Sequence, residues 1–464
     1  MKKVELIFVP TPGIGHLVST VEFAKLLIDH NDRIRVTILS MKWFPDAALD
    51  AYTKSLTALP PDGIQLIDLP RVDPPSLAPW NSAESIIDSF IKCYIPPVRN
   101  AVRDIVSMKC SSDETRVAGL VLDLFCSPMI DIATDFDLPS YIFITSNAAF
   151  LGLMFYLPTR HSLNSSEFQS SDPEHVIPGF VNPVPTYVLP SAVFRKDGGY
   201  AAYVKVAERF KDAKGIIINT FEEVEHYALN CFSNGQNPPV YPVGPVINLN
   251  GLSYSDSDDK VMKWLDDQPQ SSVVFLCFGS MGSFKAPQVK ETALGLEQSG
   301  FRFLWSLRVQ PPQNDASNML PEGFLERVQG RGMICSWAPQ LKVLAHKAIG
   351  GFISHCGWNS ILESLWFGVP IVTWPLYAEQ QLNAYKMVKE LGLAVEMRLN
   401  YRKDSDEVVM ADEIEKAVGM VMDGGSEMRK KVKEMGEIAR KSVMEGGTSF
   451  NSIGKLIENM IGNN

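Results

Sequence analysis

Short apolar runs without polar alternation, each followed by a longer segment of helical period, recur from one end of the chain to the other. In the first half, 4–9, 34–39, 64–69, 118–122 and 141–144 read as strands, and 18–28, 86–106 and 127–133 as helices. A run such as Leu120-Val121-Leu122 offers water no polar face, so crossover helices must cover both of its sides. Strand and helix in alternation imply a parallel, doubly wound α/β sheet. The pattern halts after Ile216-Ile217-Ile218-Asn219 and a helix-like stretch, at Asn237-Pro238-Pro239 and a Ser/Asp-rich segment ending at Lys260. Prolines and small polar residues mark a linker there. Strands then resume at 273–278, 303–306, 333–336, 351–354 and 371–374, with helices from Pro287, across 359–366 and from Glu379. The last helices, 412–422, 427–445 and 449–461, alternate charged and aliphatic residues like amphipathic covers.

A chain of 464 residues exceeds a single core at ~150 residues per domain. Two doubly wound, Rossmann-like domains are expected: 1–240, a linker at 241–260, and 261–447, with the final helix, 448–464, packing back on the first domain. Ligands of open α/β sheets sit at the carboxyl ends of the strands, so two such domains facing across an interdomain cleft suit two-substrate chemistry.

Composition removes other classes. With 45% apolar and 21% charged residues the chain is globular rather than disordered or fibrous. A formal charge of −10 has the wrong sign for neutralising nucleic-acid phosphates, so no nucleic acid is expected as partner. The seven cysteines form neither a CxxC pair nor zinc-ligand spacing and read as reduced thiols of a cytoplasmic protein. Glu5 and Pro10 interrupt the first apolar run, and Thr145-Ser146-Asn147 interrupts 141–157. Neither reaches the ~20 apolar residues of a membrane span. Asn164-Ser165-Ser166 spells a glycosylation sequon without a secretory signal ahead of it. A monomer is the default expectation.

The first strand runs into Pro10-Thr11-Pro12-Gly13-Ile14-Gly15-His16, which places His16 at the ligand edge of the sheet. Imidazole, with an unperturbed pKa of about 6.5, accepts a proton from an attacking hydroxyl at neutral pH; a capping or packing histidine is the other reading. Leu120-Val121-Leu122 ends in Asp123, and a buried carboxylate needs a partner. It either orients the imidazole or caps the helix that follows. No Gly-x-Ser-x-Gly elbow accompanies the pair, so the attacking hydroxyl must belong to the substrate.

The densest region is 337–380. A strand ending in His355 turns at Gly357 into a helix opening with Trp358, Asn359 and Ser360, whose N-terminus can face an anion such as a diphosphate. A Ser/Asn-capped core helix is the alternative. Glu363 lies one turn below Asn359, where a carboxylate can accept both hydroxyls of a ribose or simply be solvated. Trp337 at a strand end offers a ring for base stacking or for core packing. Glu379 and Gln380 offer a carboxylate and an amide to sugar hydroxyls, although pairing with the helix dipole would also account for Glu379.

Over its full length 337–380 resembles the signature of the plant secondary-product UDP-glycosyltransferases, family 1, and Gly13-Ile14-Gly15-His16 with Asp123 matches their catalytic pair. The Leu-Cys-Phe-Gly-Ser-Met-Gly run and Ala-Glu-Gln-Gln-Leu-Asn-Ala look most like the subgroup acting on flavonoids, other phenolics and terpenoids. The resemblance implies a GT-B fold with Trp337 on uracil, Gln340 and Glu363 on ribose, and Ser280, His355, Asn359 and Ser360 on the diphosphate. Trp358, Glu379 and Gln380 would face the sugar, Gln380 being associated with glucose, and Thr145 would approach it from the first domain. Ala338, Gly357 and Tyr377 complete the implied donor set. The implied reaction is an inverting transfer of glucose from UDP-glucose, a co-substrate, with His16 as base, Asp123 as its partner and no cofactor or metal.

An apolar acceptor pocket is expected from 90–97, 125, 150–156 and 184–203, with Gly15, Phe90, Phe125, Phe150 and Leu189 as acceptor-binding residues. Asp256-Ser257-Asp258 spells the DxD of metal-dependent transferases, but it sits in a polar linker and recurs at Asp404-Ser405-Asp406. Use of another UDP-sugar, a non-catalytic UDP-sugar-binding protein and a nicotinamide-dependent oxidoreductase remain as alternatives, the last without its GxGxxG.

Overall fold

The computed structural model describes residues 3–42, 47–58, 60–73, 82–110, 115–249, 256–308 and 316–462. The chain forms two compact units, one of Met1–Thr186, Ser191–Asn248 and Lys441–Asn464, the other of Tyr187–Pro190 and Leu249–Arg440.

The first unit holds β1 (Lys3–Val9), β2 (Ile34–Ser40), β3 (Ile64–Asp68), β4 (Thr115–Asp123), β5 (Ser140–Ile144), β6 (Gly215–Ile218) and β7 (Val240–Pro242) in one sheet of order β3-β2-β1-β4-β5-β6-β7. The second holds β8 (Val273–Cys277), β9 (Arg302–Ser306), β10 (Gly332–Cys335), β11 (Ile349–Ser354), β12 (Ile371–Thr373) and β13 (Ala394–Glu396), ordered β10-β9-β8-β11-β12-β13. Every strand pair in both sheets is parallel. Each sheet is thus doubly wound, and its order reverses at one point: between β1 and β4 in the first unit, between β8 and β11 in the second. Those crevices are where such sheets take ligands.

The strands are buried along nearly their whole length, as their unbroken apolar runs require. Two strands lie outside the sequence expectation. Strand β7 falls partly in the segment read as linker, and β13 was not expected at all. Both have three residues and an edge position, where Pro242 costs no interior ladder bond. The helix Asp256–Asp266 also occupies part of the expected linker, and 250–255 lie outside the described residues. The helix Thr448–Ile461 places Ile453, Leu456, Ile457 and Met460 in the core of the first unit, and Tyr141 donates a hydrogen bond to Asn459 Oδ1 at 2.8 Å. Among the described residues no helix is long and apolar enough to cross a membrane.

Candidate active site

In the first unit the register Val9↔Leu122 brings the end of β1 beside the end of β4. His16 lies in the first turn of the helix Ile14–His30, and Asp123 is the last residue of β4. His16 Nδ1 stands 2.7 Å from Asp123 Oδ2, with the imidazole 29% exposed and the carboxylate buried. The other oxygen, Oδ1, accepts from Thr11 Oγ1 at 2.5 Å and from the Phe125 amide at 3.2 Å. Asp123 therefore caps the 3-10 turn Leu124–Met129 and grips the imidazole at the same time; the two sequence readings of it are not exclusive. With Nδ1 given to the carboxylate, Nε2 is the nitrogen that can accept a proton.

Thr145, just past β5, places its hydroxyl 3.4 Å from the same Nδ1. Aromatic rings extend from the histidine: Phe125 meets it edge-on at 6.3 Å, Tyr203 lies 6.4 Å from Phe125, and Phe150 lies 6.2 Å from Tyr203. Gly15 is exposed in the same helical turn as His16. Phe90, buried on the helix Ala83–Cys110, packs on Tyr94 at 4.9 Å. Leu189, also expected to bind the acceptor, stands apart in its contacts. It is buried, belongs by contact to the second unit, and its carbonyl accepts from Arg402 Nη2 at 2.7 Å.

In the second unit the loops after β8 to β12 carry the polar groups. His355 follows β11 and is buried, and burial pushes its imidazole down to about 4, so it is neutral at physiological pH. Its Nδ1 has no hydrogen-bond partner among the described residues. Gly279 (φ +74) and Gly357 make room for the ring; a Cβ on either would lie 2.6 Å from His355 Nε2. After Gly357 the helix Trp358–Trp366 begins, with Trp358 and Ser360 buried and Asn359 between them. Gln340, opening the helix Gln340–Ala345, donates through Nε2 to Ser360 Oγ at 2.8 Å and to Glu363 Oε2 at 2.7 Å. Burial pushes the Glu363 carboxyl up to about 7, against the opposing hydrogen bond from Gln340.

Trp337, 40% exposed after β10, and buried Ala338 lead into that helix. The Arg308 guanidinium sits 4.4 Å from the Trp337 ring centroid and donates to the Ser280 carbonyl. Gln380 Oε1 accepts from the Leu376 and Tyr377 amides at 2.9 and 3.1 Å, so the carbonyl end of this amide holds its own loop and only the NH2 end is left for a sugar. Burial pushes the Tyr377 hydroxyl up to about 12. Glu379 precedes the helix Gln380–Tyr385. Cys356 (φ 62) and Ala378 (φ 54) hold left-handed backbone at the turns after His355 and before Glu379, strain of the kind stored at functional loops. Asn383 steadies the first by donating to the Cys356 carbonyl at 3.0 Å.

Comparison with known proteins places the whole chain. A family profile described as "UDP-glucoronosyl and UDP-glucosyl transferase" matches residues 208–441. UDP-glycosyltransferase 71K1 of Malus domestica is 56% identical over the full length of both chains. Flavonol 3-O-glucosyltransferase UGT71C4 of Arabidopsis thaliana is 50% identical over 98% of each. The crystal structure of Medicago truncatula UGT71G1 complexed with UDP-glucose superposes with a TM-score of 0.92, at 50% identity and 99% coverage of each chain. The chain belongs to the plant family 1 UDP-glycosyltransferases. Its fold is GT-B, two Rossmann-like domains, and its chemistry is glycosyl transfer from a UDP-sugar to a small acceptor.

In this glycosyltransferase the structure brings His16, Asp123 and Thr145 together in one unit, and Gln340, Ser360 and Glu363 in the other. Sequence reading passed over Thr11 and Arg308. Nothing local distinguishes a threonine between two prolines. Arg308 lies outside 337–380, and its only signal is a cation two residues past the end of β9.

Proposed function

We propose that this glycosyltransferase moves glucose from UDP-glucose to a hydroxyl of a small hydrophobic acceptor, a flavonoid, another phenolic or a terpenoid, giving a β-glucoside without a metal or other cofactor. The His16–Asp123 contact at 2.7 Å carries the reading. His16 Nε2 takes the proton of the acceptor hydroxyl, Asp123 stabilises the imidazolium, and the oxygen attacks the anomeric carbon from the face opposite UDP. One displacement inverts the α-linked donor. Phe125, Phe150 and Tyr203 suit a flat apolar acceptor beside the base.

The donor roles follow the chemistry of each group. Trp337 stacks on uracil, and Glu363, ionised, accepts from the ribose hydroxyls with Gln340 holding it in place. The amides opening the helix Trp358–Trp366 suit a diphosphate, and the neutral imidazole of His355 precedes them in the same turn. Arg308 adds a fixed positive charge, so charge on the departing UDP meets preorganised groups of the chain itself. Glucose as donor is supported by the relative named a flavonol glucosyltransferase and by the neighbour solved with UDP-glucose. A small phenolic acceptor is supported by Phytolacca americana UGT2, 36% identical, solved with UDP-2fluoro-glucose and pterostilbene. The free thiols among the described residues fit a reducing, cytoplasmic setting, and we take the working form to be a monomer.

The test is incubation with UDP-glucose and a panel of flavonols and triterpenols in excess EDTA, with NMR of the product's anomeric proton. An axial–axial coupling and an EDTA-insensitive rate are expected. An α-glucoside, or activity restored only by a divalent ion, would overturn the mechanism.

A further inference from the structure

The carboxylate that orients His16 is itself oriented from behind. Thr11 is buried in the loop after β1, between Pro10 and Pro12. A residue preceding proline is biased toward extended backbone, which narrows the conformations open to Thr11. The pairing of β1 with β4 ends at Val9↔Leu122, one residue before Asp123 and two before Thr11, which brings the two near each other. The result is the 2.5 Å hydrogen bond from Thr11 Oγ1 to Asp123 Oδ1, the oxygen that does not face His16.

A threonine hydroxyl has one proton, and here it is committed to the carboxylate. The hydroxyl oxygen is then left as an acceptor, and Cys126 Sγ lies 3.7 Å away. Burial, reinforced by the Asp123 charge, pushes the Cys126 thiol well up, so it keeps its S–H and can donate. The hydrogen bonds run in one direction, from Cys126 to Thr11 to Asp123 Oδ1, while Asp123 Oδ2 accepts from His16 Nδ1–H. Among the described residues the titratable groups in contact with the carboxylate are His16 from the helix Ile14–His30 and Cys126 from the turn Leu124–Met129, and the loop after β5 adds the Thr145 hydroxyl, which faces the imidazole.

We propose that Thr11 is a positioning residue for glycosyl transfer: by donating to Asp123 Oδ1 it locks the carboxylate in the rotamer that presents Oδ2 to His16 and thereby keeps Nε2 of the imidazole as the proton acceptor. The inference rests on His16 being the base. It adds that a carboxylate anchored only by the Phe125 amide would be free to rotate about χ2 and leave the imidazole in mixed orientations.

Thr11→Val keeps shape and removes the hydroxyl; Thr11→Ser keeps the hydroxyl. Loss of a hydrogen bond to a charged group predicts a kcat for Thr11→Val lower by about 10- to 100-fold, with the KM for UDP-glucose and UDP binding unchanged, and recovery to within about threefold in Thr11→Ser. In an Asp123→Ala background the same Thr11→Val change should add almost nothing. Thermal melts and UDP calorimetry show whether each variant is folded. Should the valine variant fold poorly, Thr11→Ala against Thr11→Ser, both read as kcat per UDP-binding site, decides the same point. A kcat for Thr11→Val within twofold of wild type, equal losses in the serine and valine variants, or additive losses in the Asp123→Ala background would overturn the inference. Normal turnover in His16→Ala would instead overturn the base assignment, which is a separable failure.

Discussion

His16 and His355 both sit just beyond the carboxyl end of a strand at the reversal point of a doubly wound sheet, and the two units use them in opposite ways. His16 is part-exposed and bonded to a buried carboxylate, so positive charge on its ring has a place to be balanced. His355 is buried, is paired with no carboxylate among the described residues, and is pushed down to about 4. In the proposed reaction the proton-transfer site is small: two side chains from distant parts of the chain, with Thr11 behind them. The site proposed for the nucleotide draws nearly all of its groups from one stretch of sequence, 337–380. A fold repeated twice in one chain sets where ligands go. Among the described residues a carboxylate pairs with the histidine of one unit and not with that of the other.

That contrast can be broken most directly at His16. His16→Ala should lower kcat by at least about 100-fold while calorimetric UDP affinity stays within twofold of wild type; loss of UDP binding in this variant would mean that the two sites are not divided as described. Next in size is Trp337→Ala, which removes a stacking platform worth about 1–3 kcal/mol per base. The KM for UDP-glucose should rise by about 10-fold or more and kcat change little, whereas a fall in kcat with unchanged KM would place Trp337 outside the nucleotide site.

The smallest effect, and the one that sharpens the comparison, concerns Glu363. Its carboxyl is pushed up to about 7 from 4.5, so the folded protein holds this proton more tightly than the unfolded chain does. Stability from this group is therefore fully present at low pH and is lost as pH rises from 4.5 through about 7. Ribose binding has the opposite demand, because the ionised carboxylate is the better acceptor. UDP affinity should tighten severalfold between pH 6 and 8 in the wild type relative to Glu363→Gln, and the variant should melt higher than wild type at pH 8 but not at pH 5. Parallel pH profiles for the two proteins would show that Glu363 does not titrate in the nucleotide site.

Much of this was legible beforehand for identifiable reasons. Strands buried on both faces leave runs such as Leu120-Val121-Leu122, and those runs located β1, β4, β8 and β11 to within a few residues. The donor loops were legible because His355, Gly357, Ser360 and Glu363 lie within a strand, a turn and a helix of one another. Three-residue edge strands leave no such trace, and so β7 and β13 were missed. Leu189 shows that an apolar residue by itself does not tell which unit it joins: it is buried, and by contact it belongs to the second unit.

What the amino-acid sequence determined by itself was the alternation of buried strand and covering helix, and the clustering of nucleotide-binding residue types along 337–380, because both are encoded by neighbours in the chain. The geometry of the expected His16–Asp123 pair, the Thr11 hydroxyl behind that carboxylate, the Arg308 guanidinium over Trp337 and the neutrality of His355 were decided only by tertiary structure. Each depends on sheet register or on desolvation, and those properties come into being only when segments far apart in the chain are packed against one another.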